Sequence, residues 1–204
     1  MRSFPEVSSL AELLRKGLRS FRGTAGSDGP ARSFEPAERS LICCVSYLFE
    51  FDSLCMNEDQ REIVRAVNAY YGEIADAVLE TGGDVNSFEG AFIFSLYGAL
   101  QPVDDKQILV SATVAALDRA RASVERSVGR QVGLGMCCGK AVYGVFGSDK
   151  LRAATGFGPP VNCARQLAQS GSGINLCEHL MVGLSLPDIT MRGLTQVCAH
   201  CGSG

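Results

Sequence analysis

From Ile63 onward, apolar residues recur at three- and four-residue spacing: Ile63, Val67, Tyr70 or Tyr71, Ile74 and Val78. That period puts them on one helical face and predicts a long amphipathic helix ending at Gly82-Gly83. The pattern then changes. Val85 and Phe88 precede a Glu89-Gly90 corner, after which Phe92, Phe94 and Leu96 alternate with smaller or more polar neighbours. A period of two on both sides of a glycine corner predicts a β-hairpin. A catalytic group beside such a corner would stand on rigid backbone in a cleft, but the residue that follows is Ala91, whose methyl group does no chemistry.

The remaining elements follow from the same patterns. Residues 41–47 form a continuous apolar run, the mark of a buried central strand. Residues 48–54 turn into a helix, and Asp59 or Asn57 is available to cap the long helix. A second long helix starts at Asp104-Asp105, with Ile108, Ala112, Ala116, Ala120 and Val124 on one face. Residues 131–145 read as a strand pair, with Gly133, Gly135 and Gly139 as turn residues, because these glycines lack the dinucleotide-binding spacing in a strand-to-helix context. Residues 156–160 read as a loop, residues 161–170 as a third helix, and residues 174–177 and 194–199 as closing strands. The order β-α-β-β-α-β-β-α-β-β predicts an α+β fold. Helices cover a mainly antiparallel sheet of ferredoxin-like, split βαβ type.

The chain divides at about residue 40. In residues 1–39, Ser9 caps a short amphipathic helix in which Leu10, Leu13, Leu14 and Leu18 share a face, with Arg15, Lys16, Arg19 and Arg22 around it. A flexible linker rich in Gly, Ser, Pro, Arg and Glu follows from residue 23. The helix suits dimerisation or packing, or docking on a membrane surface or partner; Glu6 and Glu12 argue against a transit peptide. Residues 40–200 form the main domain.

An apolar content of 46% in 204 residues suffices for one sizeable core. The net charge of −3 predicts no broad nucleic-acid surface. No apolar run approaches the ~20 residues of a membrane span, and the first residues lack the apolar stretch of a secretory signal. Nine cysteines, an odd number with Cys43-Cys44 and Cys137-Cys138 inside predicted strands, point to buried free thiols and a cytoplasmic location. Cys177, His179, Cys198, His200 and Cys201 hold both histidines of the chain and have the chemistry of a tetrahedral zinc site. Their spacing matches no established finger, so ordinary core thiols and surface histidines are the competing reading.

Five segments, in order, resemble the class III nucleotide cyclases, the adenylate and guanylate cyclase homology domain. Residues 67–71 (Val-Asn-Ala-Tyr-Tyr) resemble that family's Leu-Asn-x-Tyr-Phe, and residues 82–86 its glycine-pair approach to the hairpin. The glycine run from Gly133 to Gly147 is similar to its Gly-Ile-x-x-Gly-x-Val-x-x-Gly-x-x-Gly. Residues 161–164 (Val-Asn-Cys-Ala) match its Val-Asn-x-Ala, and Arg192-Gly193 stands where it has Lys-Gly.

The resemblance implies two aspartates that hold two divalent ions in catalytically active members. Here Tyr47 takes the place of the first and Ala91 that of the second. Ser87 replaces the base-reading lysine and Gln166 the phosphate arginine, while Thr155, Asn162 and Arg192 remain as vestigial nucleotide contacts. Hard cations need anionic oxygen ligands, which a neutral phenol and a methyl group do not supply. Among neighbouring carboxylates (Glu50, Asp52, Asp84, Glu89), Glu89 is the best substitute, yet it is displaced by two residues. The expectation is therefore an inactive, dimerising cyclase-like domain serving as a regulatory or interaction module in cyclic-nucleotide signalling. It needs no cofactor and pairs with itself or a related domain. The alternatives are a nucleotide sensor without turnover and a subunit of an active heterodimer.

Overall fold

The computed structural model describes residues 35–100, 103–148 and 152–181. Its sheet is built on β1 (Ala37–Leu48), which starts three residues before the predicted domain edge, inside the stretch expected to be linker. Residues 41–46 are buried without a break, as a strand covered on both faces requires. β1 pairs antiparallel with β3 (Phe92–Tyr97) on one edge and β4 (Val132–Gly147) on the other. β2 (Asp84–Glu89) extends the β3 side and β5 (Arg152–Phe157) the β4 side, giving the order β2-β3-β1-β4-β5. β6 (Gly173–Leu176) adds to β4 as the one parallel pairing among the described strands. The mainly antiparallel sheet covered by helices is the predicted fold class.

The helices are α1 (Phe51–Asn57), α2 (Gln60–Glu80), α3 (Lys106–Val128), α4 (Pro159–Ser170) and the short α5 (Glu178–Met181). Carboxylates cap the two long ones. Asp59 accepts from the amides of Arg61 and Glu62, and Asp105 from those of Gln107 and Ile108. α2 buries Tyr70, Ile74 and Val78 as its period predicts. α3 buries Ala116, Ala120 and Val124 of the predicted row but not Ile108, which is 69% exposed, or Ala112; Val110, Thr113, Val114 and Leu117 complete its covered face. Steps of four residues overshoot a full turn by about 40°, so a row of five spirals some 160° around the helix.

Two further differences have physical causes. Residues 132–147 are one continuous strand rather than a pair. Gly133 and Gly135 sit within it because α4 lies on it: a Cβ on Gly133 would stand 2.0 Å from the carbonyl oxygen of Ala168, and one on Gly135 2.0 Å from that of Ala164. They are close-approach glycines, not turn glycines. Residues 156–160 are not a loop either, since Gly156 and Phe157 end β5 while Pro159 and Pro160 open α4.

Side chains alternate across a strand, so residues 45 and 46 of β1 point to opposite faces. Ser46 meets Tyr70 of α2, whereas Val45 pairs with Gly135, on which α4 rests. The helices therefore lie on both faces, α2 on one and α4 on the other. The sheet also curls. Asn86 Nδ2 of β2 donates to Thr155 Oγ1 of β5 at 3.1 Å, joining strands from opposite ends of the strand order.

Candidate functional site

Glu89 pairs with Phe92, so the hairpin turns through Gly90 and Ala91, one residue later than predicted. Gly90 has φ 61°, which glycine adopts without strain. Two adjacent tyrosines of α2 hold this turn. Tyr70 donates to the carbonyl of Ala91 at 2.9 Å and Tyr71 to that of Gly90 at 2.8 Å. Tyr71 also stacks on Phe88 with ring centroids 4.6 Å apart. Ser46 completes the chain by hydrogen-bonding Tyr70 Oη, and the Leu48 amide donates to Ala91 as well. Burial pushes the Tyr70 phenol well above its usual range, so it stays a neutral donor.

Next to this fixed turn lies a cup of about 370 Å³ lined by Tyr47, Glu50, Phe51, Asp52, Glu89, Gly90, Ala91, Phe92, Arg165 and Gln169. Its floor is aromatic. Tyr47 lies 4.7 Å from Phe92 and 4.9 Å, edge-on, from Phe49, centroid to centroid. The Arg165 guanidinium carbon sits 4.2 Å above the Phe92 ring, and Nη1 is 3.8 Å from Glu89 Oε2. Tyr47 and Ala91, which the sequence places together, do meet in this cup. Of the four neighbouring carboxylates, Glu50, Asp52 and Glu89 line it and Asp84 does not. Asp84 is partly buried elsewhere, and its carboxyl is raised by desolvation.

The other expected site residues are dispersed or committed. Ser87 donates to Glu89 at 2.8 Å, and the Thr155 hydroxyl accepts from Asn86. Asn162 and Gln166 are exposed on α4 and do not line the cup. Arg192, Cys198, His200 and Cys201 lie outside the described residues. Cys177 is buried and His179 exposed, and no group of three or more metal-ligating side chains occurs among the described residues. Cys177 instead joins Cys137 and Cys163 in the core, where hydrogen bonding to the two neighbouring sulfurs pushes the Cys137 thiol upward. Six of the seven described cysteines are buried and Cys55 is exposed, with no disulfide among them.

No protein-family model matches the sequence. Uncharacterized proteins of Mycobacterium tuberculosis and Mycobacterium bovis are each 30% identical over 115 residues, which is 53% of this chain. The chain spans about a fifth (20%) of the length of these curated relatives. Among solved structures, the guanylyl cyclase Cya2 is 26% identical with a TM-score of 0.64, over 71% of this chain and 78% of that one. The adenylyl cyclase CyaB from P. aeruginosa is 19% identical with a TM-score of 0.66, over 72% and 80%. A dimeric guanylyl cyclase domain of a RhoGC fusion protein from the fungus Blastocladiella emersonii is 15% identical with a TM-score of 0.61, over 71% and 83%. The chain carries the nucleotide-cyclase fold.

On this cyclase fold, the residue that the sequence reading passed over is Arg165. It stands beside Gln166, and attention to that position hid it. The available signal was its spacing from Gln169: the two lie four apart and flank the buried stripe of Ala164, Leu167 and Ala168. No helix among the described residues is long and apolar enough to cross a membrane.

Proposed function

We propose that this cyclase-fold chain is catalytically inactive and acts as a dimerising regulatory or interaction module in cyclic-nucleotide signalling. The observation that carries this reading is the aromatic lining of the cup, from Tyr47, Phe51 and Phe92. Where the resemblance implies a metal-binding aspartate, the Tyr47 ring packs against Phe49 and Phe92, and the Arg165 guanidinium lies over Phe92. A divalent ion gains nothing from ring carbons and needs several anionic oxygens. Two of the three carboxylates that line the cup are turned to cations of the chain itself, Glu89 to Arg165 and Glu50 to Arg130 at 3.6 Å, which leaves Asp52 as a single further ligand. The residues present therefore do not fit a pair of divalent ions.

Pairing is supported by an exposed apolar patch on the β4–β5 hairpin. Val142 and Phe157 face each other in register, 41% and 56% exposed, and Phe146 packs edge-on against Phe157. Such a patch suits a second copy or a related domain.

The test is product formation. Incubated with ATP or GTP and Mg²⁺ or Mn²⁺, the protein forms no cyclic AMP or cyclic GMP, and Tyr47→Asp alone restores none because Ala91 still supplies no ligand. Cyclic nucleotide made by the unaltered chain and lost on Glu89→Ala would overturn the inactive reading.

A further inference from the structure

The cup has a composition that suits a different occupant from a metal ion. Its aromatic residues are Tyr47, Phe51 and Phe92, with Tyr47 backed by Phe49, and its lining carries three carboxylates against one guanidinium. Arg130 reaches Glu50 from outside the lining, which still leaves the carboxylates in excess. An anion is disfavoured there. A hard divalent ion would have to give up bound water for aromatic carbon. A delocalised, weakly hydrated cation loses less solvation and is attracted to the negative face of the rings.

The protein already performs this recognition on itself. Arg165 lies flat enough over Phe92 for its guanidinium carbon to be 4.2 Å from the centroid, with Glu89 alongside at 3.8 Å. The hold is loose: the side chains of Arg165 and Glu89 are 51% and 53% exposed, and the ion pair is longer than a hydrogen bond. The rim also keeps a carboxylate at a conformational disadvantage. Glu50 is the one non-glycine residue with positive φ among the described residues, at 56°.

We propose that this cup is a binding site for an organic cation of the guanidinium class, with Arg165 as the internal occupant that an external guanidinium displaces. The ligand is either a free small guanidinium compound or an arginine side chain presented by a protein partner. This proposal rests on reading the cup as free of metal, and the test separates the two claims.

The probes are methylguanidinium chloride and an end-blocked Gly-Arg-Gly peptide, titrated into the full chain while the ring resonances of Tyr47 and Phe92 are followed by NMR, with NaCl matched throughout. Both ring signals should shift and saturate. Arg165→Ala, an exposed substitution that leaves the fold intact, should tighten the apparent affinity at least about fivefold, because removing an internal competitor raises the competent fraction. Glu89→Gln should weaken it severalfold. A peptide that binds at least about tenfold tighter than methylguanidinium assigns the ligand to a partner's arginine, and equal affinities assign it to a free cation. The proposal is overturned if Arg165→Ala binds no tighter than the unaltered chain, or if NaCl produces the same shifts. Competition with MnCl₂ distinguishes the failures. Displacement of the probe by micromolar Mn²⁺ defeats the metal-free reading, whereas a cup unresponsive to both ions defeats the guanidinium proposal alone.

Discussion

Tyr70 donates its phenolic proton to the carbonyl of Ala91, 2.9 Å away and 21 residues along the chain. This contact joins the middle of α2 to the hairpin tip, and Ser46 joins β1 to the same phenol. The corner beside the cup is therefore fixed from the helix layer behind it. The aromatic floor rests on that corner.

Removing the phenolic oxygen tests this anchor. Tyr70 is fully buried, so Tyr70→Phe strips the buried Ser46 hydroxyl of its Tyr70 partner and leaves the Ala91 carbonyl with the Leu48 amide alone. The expected loss is about 1–3 kcal/mol in urea unfolding. Tyr71→Phe, at a half-exposed phenol, should cost clearly less. Equal losses would contradict the account.

Gly135→Ala tests the seat of α4. The added methyl would lie 2.0 Å from the Ala164 carbonyl and 2.4 Å from the Ala168 amide nitrogen, both of them backbone atoms that cannot swing away. A loss of about 3 kcal/mol or more is expected, at the upper end of overpacking effects. Because α4 carries Arg165, the Phe92 ring resonances should shift in the same variant.

Glu50→Gly acts in the opposite direction. A left-handed glutamate is strained relative to glycine. The substitution should stabilise the fold by about 0.5–1 kcal/mol in thermal or urea unfolding, less the weak pairing with Arg130. Destabilisation would show that the Glu50 carboxylate matters more to the fold than its backbone strain.

Alkaline pH should unfold the chain through its buried thiols. Burial raises Cys43 and Cys44 from 9.0 to about 12, so the native state keeps protons that the unfolded chain releases. Their contribution is fully present below pH 9 and is lost as pH rises towards 12. The slope is on the order of 1.4 kcal/mol per pH unit for each thiol. Urea midpoints measured from pH 8 to 11 should hold to about pH 9 and fall steadily above it, and Cys44→Ala should flatten the fall. A midpoint that is flat across this range would contradict the burial of these groups.

The layers of the fold were legible because α2 has a helical period and β1 a continuous apolar run, and burial follows both; the alternation of the β2–β3 hairpin marked its strands, although β3 is buried on both faces. Two kinds of feature were not. Gly133 and Gly135 looked like turn residues, because a sequence does not show that a helix backbone 30 residues downstream will press on them. Arg165 was invisible for a related reason: its partner Phe92 sits on a different element, and no local pattern links a helix arginine to a strand phenylalanine. Tyr47 and Ala91 were singled out in the sequence and line one cup, but the packing of Tyr47 against Phe49 and Phe92 is a matter of tertiary contact and not of motif.

The central claim is that the cup holds no divalent metal pair, and manganese binding tests it most directly. Free Mn²⁺ gives a sharp EPR signal that bound Mn²⁺ loses, so titration of the protein in the presence of ATP counts sites without requiring turnover. Losing a two-metal clamp should weaken metal-nucleotide binding by several kcal/mol, at ~1.4 kcal/mol per decade of affinity. The account predicts no site for Mn²⁺ tighter than about millimolar, with or without ATP, and the same result for Arg165→Ala. Two Mn²⁺ ions bound per chain at micromolar concentration, released by Glu89→Ala, would contradict it.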